Sequence, residues 1–171
     1  MNFEIERKFL IKYPNEELLK TIPRSNKTEI FQTYLLYKGG NLRVRKRGVG
    51  KTFTYTKTLK KDVSPLTREE YEDEITCQEY ENLLKQANPA YKTLHKYRWA
   101  VPFGAFIYEI DLYPFWTDLA IMEVEIESEN TIITEPPFVH IIRDVTLDRR
   151  YSNKNMANIH FNPFFYKEDS K

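Results

Sequence analysis

Acidic side chains recur in alternation along this chain: Glu4 with Glu6, Glu70 with Glu72, and Glu123 with Glu125. Basic pairs repeat the same spacing at Arg43 with Arg45 and at Lys96 with Arg98. A spacing of two places both members of a pair on one face of a β-strand. Carboxylates are hard oxygen ligands suited to Mg2+ or Mn2+. Arg and Lys are natural phosphate partners, Arg through its two-pronged fork. A site holding both rows at once would bind a metal–polyphosphate complex. Acid-x-acid pairs occur more than twice as often as 25 acids in 171 positions give by chance, while basic pairs show no excess. The plainer alternative is therefore the solvated outer face of a β-sheet.

The elements that carry these pairs read mainly as strands, because alternation dominates the chain. Phe3, Ile5 and Phe9 fall on one face of the opening strand, with Glu4, Glu6 and Lys8 on the other. Further strands are predicted at about 29–37, 41–47, 51–60, 68–76, 92–101, 105–113 and 119–127. Gly39-Gly40-Asn41, Gly48-Val49-Gly50 and Pro102-Phe103-Gly104 read as turns. Short helices are predicted at Glu16 to Ile22 and Gln78 to Ala87, with two more at Phe138 to Ile142 and Lys154 to Ile159. The tail from Lys167 to Lys171 is expected to fray. Eight strands and few helices suggest an α+β, mainly β chain: an antiparallel β-barrel with short helices packed outside.

Composition bounds the function. The length of 171 residues, with 41% hydrophobic residues, suits one domain spanning 1–171, its strands at about 2–127 and its C-terminal helices and tail at about 134–171. A net charge of +1 argues against a nucleic-acid or acidic-membrane partner. Cys77 is the single cysteine, so no intramolecular disulfide or Cys-rich metal site exists. The charged opening is unlike a signal peptide, and no apolar run approaches the roughly 18 residues of a membrane helix, which points to a cytoplasmic protein.

Strands that cover helices with their apolar side must point their charges the other way, and in a closed sheet that way is inward. Like charges on neighbouring strands repel, and unpaired burial costs several kcal/mol each. Opposed acidic and basic rows relieve this, and a divalent cation with a polyanion relieves it further.

In order along the chain, Glu4-Ile5-Glu6-Arg7-Lys8, Gln32-Thr33-Tyr34-Leu35, Leu42-Arg43-Val44-Arg45, Arg68-Glu69-Glu70-Tyr71-Glu72, Lys96-Tyr97-Arg98, Glu109-Ile110-Asp111 and Glu123-Val124-Glu125 resemble the motifs of the CYTH, or triphosphate tunnel metalloenzyme, superfamily. Asp144-Val145-Thr146 and Tyr151-Ser152-Asn153 are similar to its closing segment. The resemblance, together with the inward charge parity, implies a closed eight-stranded antiparallel β-barrel, a tunnel that binds a triphosphate through basic residues and one or two Mg2+ or Mn2+ ions through glutamates. It implies Glu4, Glu6, Glu123 and Glu125 as metal ligands, with Asp111 as a further candidate. Glu70 and Glu72 are supporting tunnel acids, either ligating through water or pairing with bases; Glu74 and Glu127 fall at the rim. Arg43, Arg45, Lys57, Lys96 and Arg98 are the implied phosphate-binding residues, and Lys8 with Tyr34 the implied catalytic pair. Because a lysine of ordinary pKa is a poor base at neutral pH, Lys8 is read as positioning water or phosphate.

The activity implied is a metal-dependent triphosphatase acting on inorganic triphosphate, with ATP or thiamine triphosphate as other substrates of the class. A class IV adenylate cyclase and a non-catalytic polyphosphate-binding module are the rivals, and the choice between monomer and homodimer is open. Other signals carry less. Gly48-Val49-Gly50-Lys51-Thr52 lacks the first glycine of a P-loop. The stretch 38–61 has nine basic residues and no acid, a nucleic-acid patch by count, yet alternate residues face opposite sides. His95, His140 and His160 lie far apart, and Cys77 has no nucleophile signature.

Overall fold

A computed structural model describes residues 2–167. The tail expected to fray lies, from residue 168 onward, outside the described residues. These form strands β1 (Asn2–Lys12), β2 (Asn26–Tyr34), β3 (Asn41–Val49), β4 (Thr52–Asp62), β5 (Thr67–Ile75), β6 (Leu94–Phe103), β7 (Phe106–Leu112), β8 (Leu119–Glu125) and β9 (Ile141–Asp144). Helices α1 (Glu16–Thr21), α2 (Cys77–Leu84) and α3 (Asn153–Ala157) lie among them. Asn15 caps α1 by accepting from the backbone N–H groups of Glu17 and Leu18, and Thr76 with Glu79 forms a capping box on α2. No helix is long and apolar enough to cross a membrane among the described residues.

Two antiparallel meanders, β2-β3-β4-β5 and β6-β7-β8, join through β2–β6 pairing. Strand β1 pairs with β8 over Glu6–Lys12 and with β5 over Asn2–Ile5, which closes eight strands into a barrel. The tight β3–β4 hairpin needs glycine twice. A Cβ on Gly48 would meet the Thr52 carbonyl at 1.9 Å, and Gly50 has φ +61.

The helix expected at Phe138 to Ile142 is absent. Residues there turn and then form β9, which pairs Leu10 with Arg143 and Ile11 with Ile141. The reason is an open hydrogen-bonding edge: β5 leaves β1 after Ile5, and the groups beyond it need partners. Five residues following Pro136 and Pro137 gain more from that edge than from one helical turn.

Three apolar clusters fix the barrel. Outward-facing Trp99, Val101, Ile110 and Met122 pack under Leu19 of α1 and under Ile133, Phe138 and Val139. Val44 packs with Tyr80 of α2. At one end of the tunnel, inward-facing Leu10, Leu94 and Ile121 meet Trp116, Tyr151 and Met156, so the chain's C-terminal segment plugs that end. Ile11 is fully buried in the first cluster. Ile11→Ala is expected to cost about 2–5 kcal/mol, read as a lower urea midpoint with unchanged slope; an unchanged midpoint would show that β1 is not anchored there.

Candidate functional site

Residues directly opposite in an antiparallel pair point to the same face. The register therefore sorts the charges. Lys8 faces Glu123 and Glu6 faces Glu125 across β1–β8. Arg43 lies between Tyr34 and Thr58, and Arg45 between Gln32 and Thr56. Arg98 lies opposite Asp111. All of these point into the barrel, where a cavity of about 570 Å³ remains above the plug. Glu4, Glu6, Lys8, Tyr34, Arg43, Arg45, Glu70, Glu72, Arg98, Glu123 and Glu125 all line it. Acids from β1, β5, β7 and β8 make one wall, and bases from β2's neighbours β3 and β6 make the other.

Arg98 is the most heavily bonded of the bases. Its Nε reaches Asp111 Oδ1 at 2.6 Å, and its Nη2 reaches Asp111 Oδ2 at 2.7 Å and Glu123 Oε2 at 2.6 Å; Nη1 binds Glu109. Lys8 Nζ sits 2.9 Å from Glu123 and 3.6 Å from Glu6. Burial alone would lower the Lys8 ammonium, but the charges of Glu123 and Glu6 outweigh it and push the pKa up, so Lys8 is a hydrogen-bond donor. Burial raises the Tyr34 phenol, so it too is protonated. Glu123 is buried, yet Lys8, Arg98 and Lys96 hold its carboxyl well below the usual range.

Arg43 and Arg45 differ from Arg98. Each has a buried Nε with no acceptor. Burial, then the charges of Arg43 and Arg98, lowers the Arg45 guanidinium to about 9. A buried cation without a counter-charge is costly, and an anion in the cavity removes that cost.

Three residues singled out from the sequence stand elsewhere. Lys57 points outward, opposite Val44 and Asp73, with its ammonium 3.7 Å from Asp73. The lysine on β4 that faces inward is Lys60, 2.5 Å from Glu4 and 2.7 Å from Glu70. The Gly50 turn contained the signal, because a hairpin centred there pairs Arg43 and Arg45 with even-numbered β4 positions. Asp111 is fully buried and outside the cavity lining, with its oxygens taken by Arg98 and by Lys96 at 2.6 Å. In the arrangement described it anchors two cations. Lys96 is likewise enclosed, bonded to Asp111 and to Asn153 of α3, and burial followed by the charge of Arg98 lowers it to about 8. Glu74 and Glu127 are exposed and outside the lining. Sequence reading missed Lys60, Arg47, Glu109 and the C-terminal Arg149 and Asn153 as lining residues.

A metal fits the donor set. Burial, then Glu123, raises the Glu6 carboxyl; burial, then Glu4 and Glu70, raises that of Glu125. Carboxylates that raise one another in this way are hard-oxygen donors whose repulsion a divalent cation would relieve. In the arrangement described, Lys60 holds Glu4 while Lys8 and Arg98 hold Glu123. Among the described residues no three acidic, His or Cys side chains are gathered closely enough to enclose an ion.

Fold and lumen define a closed antiparallel β-tunnel with opposed acidic and basic walls, plugged at one end. The CYTH domain pattern matches residues 2–155, and the chain belongs to that family. It is 31% identical over 156 residues to an inorganic triphosphatase of Nitrosomonas europaea, covering 90% of this chain and 96% of that one. A crystal structure of an inorganic triphosphatase superposes with a TM-score of 0.57 at 28% identity, covering 92% of this chain and 95% of the other. A Pyrococcus horikoshii protein shares the fold at a TM-score of 0.52 and 18% identity, over 74% and 80% of the two chains.

Because Asp111 is held low by Arg98 and Lys96 despite burial, its stabilisation is present above the unfolded value near 3.9 and is lost as pH falls through the depressed folded value. Asp111→Asn is expected to cost about 3–5 kcal/mol at pH 7, with the gap to wild type narrowing at pH 3 in urea unfolding. An equal gap at both pH values would refute the anchor role.

Proposed function

We propose that this protein is a divalent-metal-dependent hydrolase of inorganic triphosphate, with water attacking the terminal phosphoryl group. The observation that carries this reading is the pair of buried, unpartnered guanidinium nitrogens on Arg43 and Arg45, facing a carboxylate wall across one small cavity. A linear polyanion satisfies the first wall and a hard cation the second. The triphosphatase relatives and the family membership support the same substrate class.

Glu4, Glu6, Glu123 and Glu125 would hold Mg2+ or Mn2+, which when bound neutralises charge on the phosphate oxygens. Arg43 and Arg45 grip the chain of phosphates through their free N–H groups. Lys60 and Lys8 exchange a glutamate for a phosphate oxygen as substrate enters, which frees Glu4 and the one oxygen of Glu123 that Lys8 holds, the other staying on Arg98. Arg98, held by three carboxylates on β7 and β8, stays in place as a fixed positive charge beside the departing phosphoryl group. The Lys8 ammonium orients the attacking water or a phosphate oxygen by donating to it. The plug of Tyr151 and Met156 closes the far end, so the site takes a short polyanion and excludes bulk water on that side.

The test is purified protein with Mg2+ or Mn2+ and either inorganic triphosphate or ATP, following phosphate, pyrophosphate and cyclic AMP. Phosphate release from triphosphate is expected. Arg45→Ala and Glu6→Gln should each lower kcat/KM by about 100-fold or more, whereas Lys57→Ala stays within about twofold, since a half-exposed pair contributes little. Cyclic AMP with pyrophosphate from ATP would overturn the reading in favour of a cyclase, and saturable triphosphate binding without turnover would leave a binding module.

A further inference from the structure

Inside the barrel, beside the cavity but not lining it, lies a fully buried amide: Gln32 of β2. Its Oε1 accepts from Arg43 Nη1 at 3.2 Å, and its Nε2 donates to Tyr34 Oη at 2.8 Å. Chemistry fixes this orientation. A guanidinium has donors and no acceptor, so the amide oxygen must face Arg43. The amide nitrogen is then left for Tyr34, and an NH2 group donates without accepting. The Tyr34 hydroxyl is therefore an acceptor toward Gln32, and its own proton is directed elsewhere. Among the described residues no side chain or carbonyl takes that proton as a hydrogen bond, and both residues that Gln32 holds do line the cavity.

We propose that Gln32 is a positioning residue that fixes Tyr34 as a hydrogen-bond donor into the tunnel and holds one prong of Arg43. This deepens the triphosphatase reading and rests on it, since the acceptor it provides for is a phosphate oxygen of the bound triphosphate. The amide does two jobs at once. It occupies Arg43 Nη1, which leaves Nε and Nη2 for the anion. It also sets the sense of the phenol, which in free rotation could turn its lone pairs toward the phosphate and repel it. A carboxylate in the same place would satisfy Arg43 equally well but would draw the phenolic proton back toward itself. Glutamine supplies the right polarity on both sides.

The test is the effect of Tyr34→Phe on triphosphate hydrolysis in three backgrounds. In the wild type, loss of one hydrogen bond to a charged oxygen is expected to lower kcat/KM about 10- to 100-fold. Gln32→Met keeps the length but drops both hydrogen bonds; the freed hydroxyl can still donate into the tunnel, so Tyr34→Phe still lowers activity there by several-fold. Gln32→Glu keeps Arg43 tethered but captures the phenolic proton, so Tyr34→Phe on top of it changes kcat/KM by less than about twofold. Groups acting through one another are non-additive in this way, whereas independent sites add. The same Tyr34→Phe factor in all three backgrounds would show that Gln32 merely fills space, and would overturn the proposal.

A second readout needs no turnover. In protein labelled with 15N-glutamine, the Gln32 side-chain NH2 should show slow solvent exchange, and Tyr34→Phe should shift its signal and speed its exchange. A signal indifferent to Tyr34→Phe would refute the contact even if the position-32 variants failed to fold. A signal that Tyr34→Phe shifts, in a protein whose wild type does not hydrolyse triphosphate, would sink the triphosphatase reading while leaving the Gln32–Tyr34 contact in place, and would remove the phosphate from the proposal.

Discussion

The structure depends on how one enclosed guanidinium is neutralised. Arg98 projects from β6 into the barrel and bonds Asp111 and Glu109 on β7 and Glu123 on β8. Glu123 in turn holds Lys8 on β1. The chain of charges thus runs across four consecutive strands at the same level of the tunnel. Each ion in it is taken out of water, and attraction to its neighbours is what makes that tolerable. Because the partners sit on different strands, the network also fixes register: a one-residue slip of β7 would turn Asp111 outward and bring Ile110 against the guanidinium. The apolar outer face depends on the same constraint. Ile110, Met122 and Val124 pack outside because their alternating neighbours are held inside.

The two walls of the tunnel are unequal in how fully they are neutralised. Near Arg98 nearly every charge has a partner. Toward Arg43 and Arg45 the cations outnumber their counter-charges, and around Glu6 and Glu125 the carboxylates do. The site therefore has a rigid, satisfied base and two unsatisfied faces of opposite sign. A fold optimised for stability alone would pair those faces with each other. Their separation across the cavity is a cost carried by the resting protein, of the kind found where a ligand completes the electrostatics.

Much of this was legible in the sequence because alternation is a local property. Glu4 with Glu6 or Arg43 with Arg45 declares a strand face without knowledge of what lies opposite. Seven of the eight barrel strands followed their expected spans within about three residues, and β1 followed its alternation. What was not legible depends on pairing. Lys57 and Lys60 are equally basic, and the register of the β3–β4 hairpin alone decides which of them faces in. Asp111 has the composition of a metal ligand, but its oxygens are spent on Arg98 and Lys96, contacts made across β6–β7. Strand β9 forms because β1 offers an unpaired edge about 130 residues away in the chain. The lining from Arg149 to Asn155 reaches the lumen through a plug whose apolar contacts join both ends of the sequence.

On the proposed reading, the separation of the walls has a further consequence for how ions would enter. A bare polyanion is drawn to Arg43 and Arg45 but meets repulsion from Glu6 and Glu125. A bare divalent cation meets the reverse. Entering together, each screens the wall that repels the other, so each raises the other's affinity, and by linkage the two increases are equal. The ion pairs of the resting tunnel strengthen this coupling. Lys60 bridges Glu4 and Glu70, and Lys8 holds Glu123. A phosphate that draws off either lysine exposes a carboxylate, and a cation that takes the carboxylate releases the lysine. When both exchanges occur every charge keeps its full set of partners, while either exchange by itself removes one partner from a buried charge. On that reading, coupling between metal and polyanion would be built into the resting salt bridges and would select for a substrate that arrives with its cation.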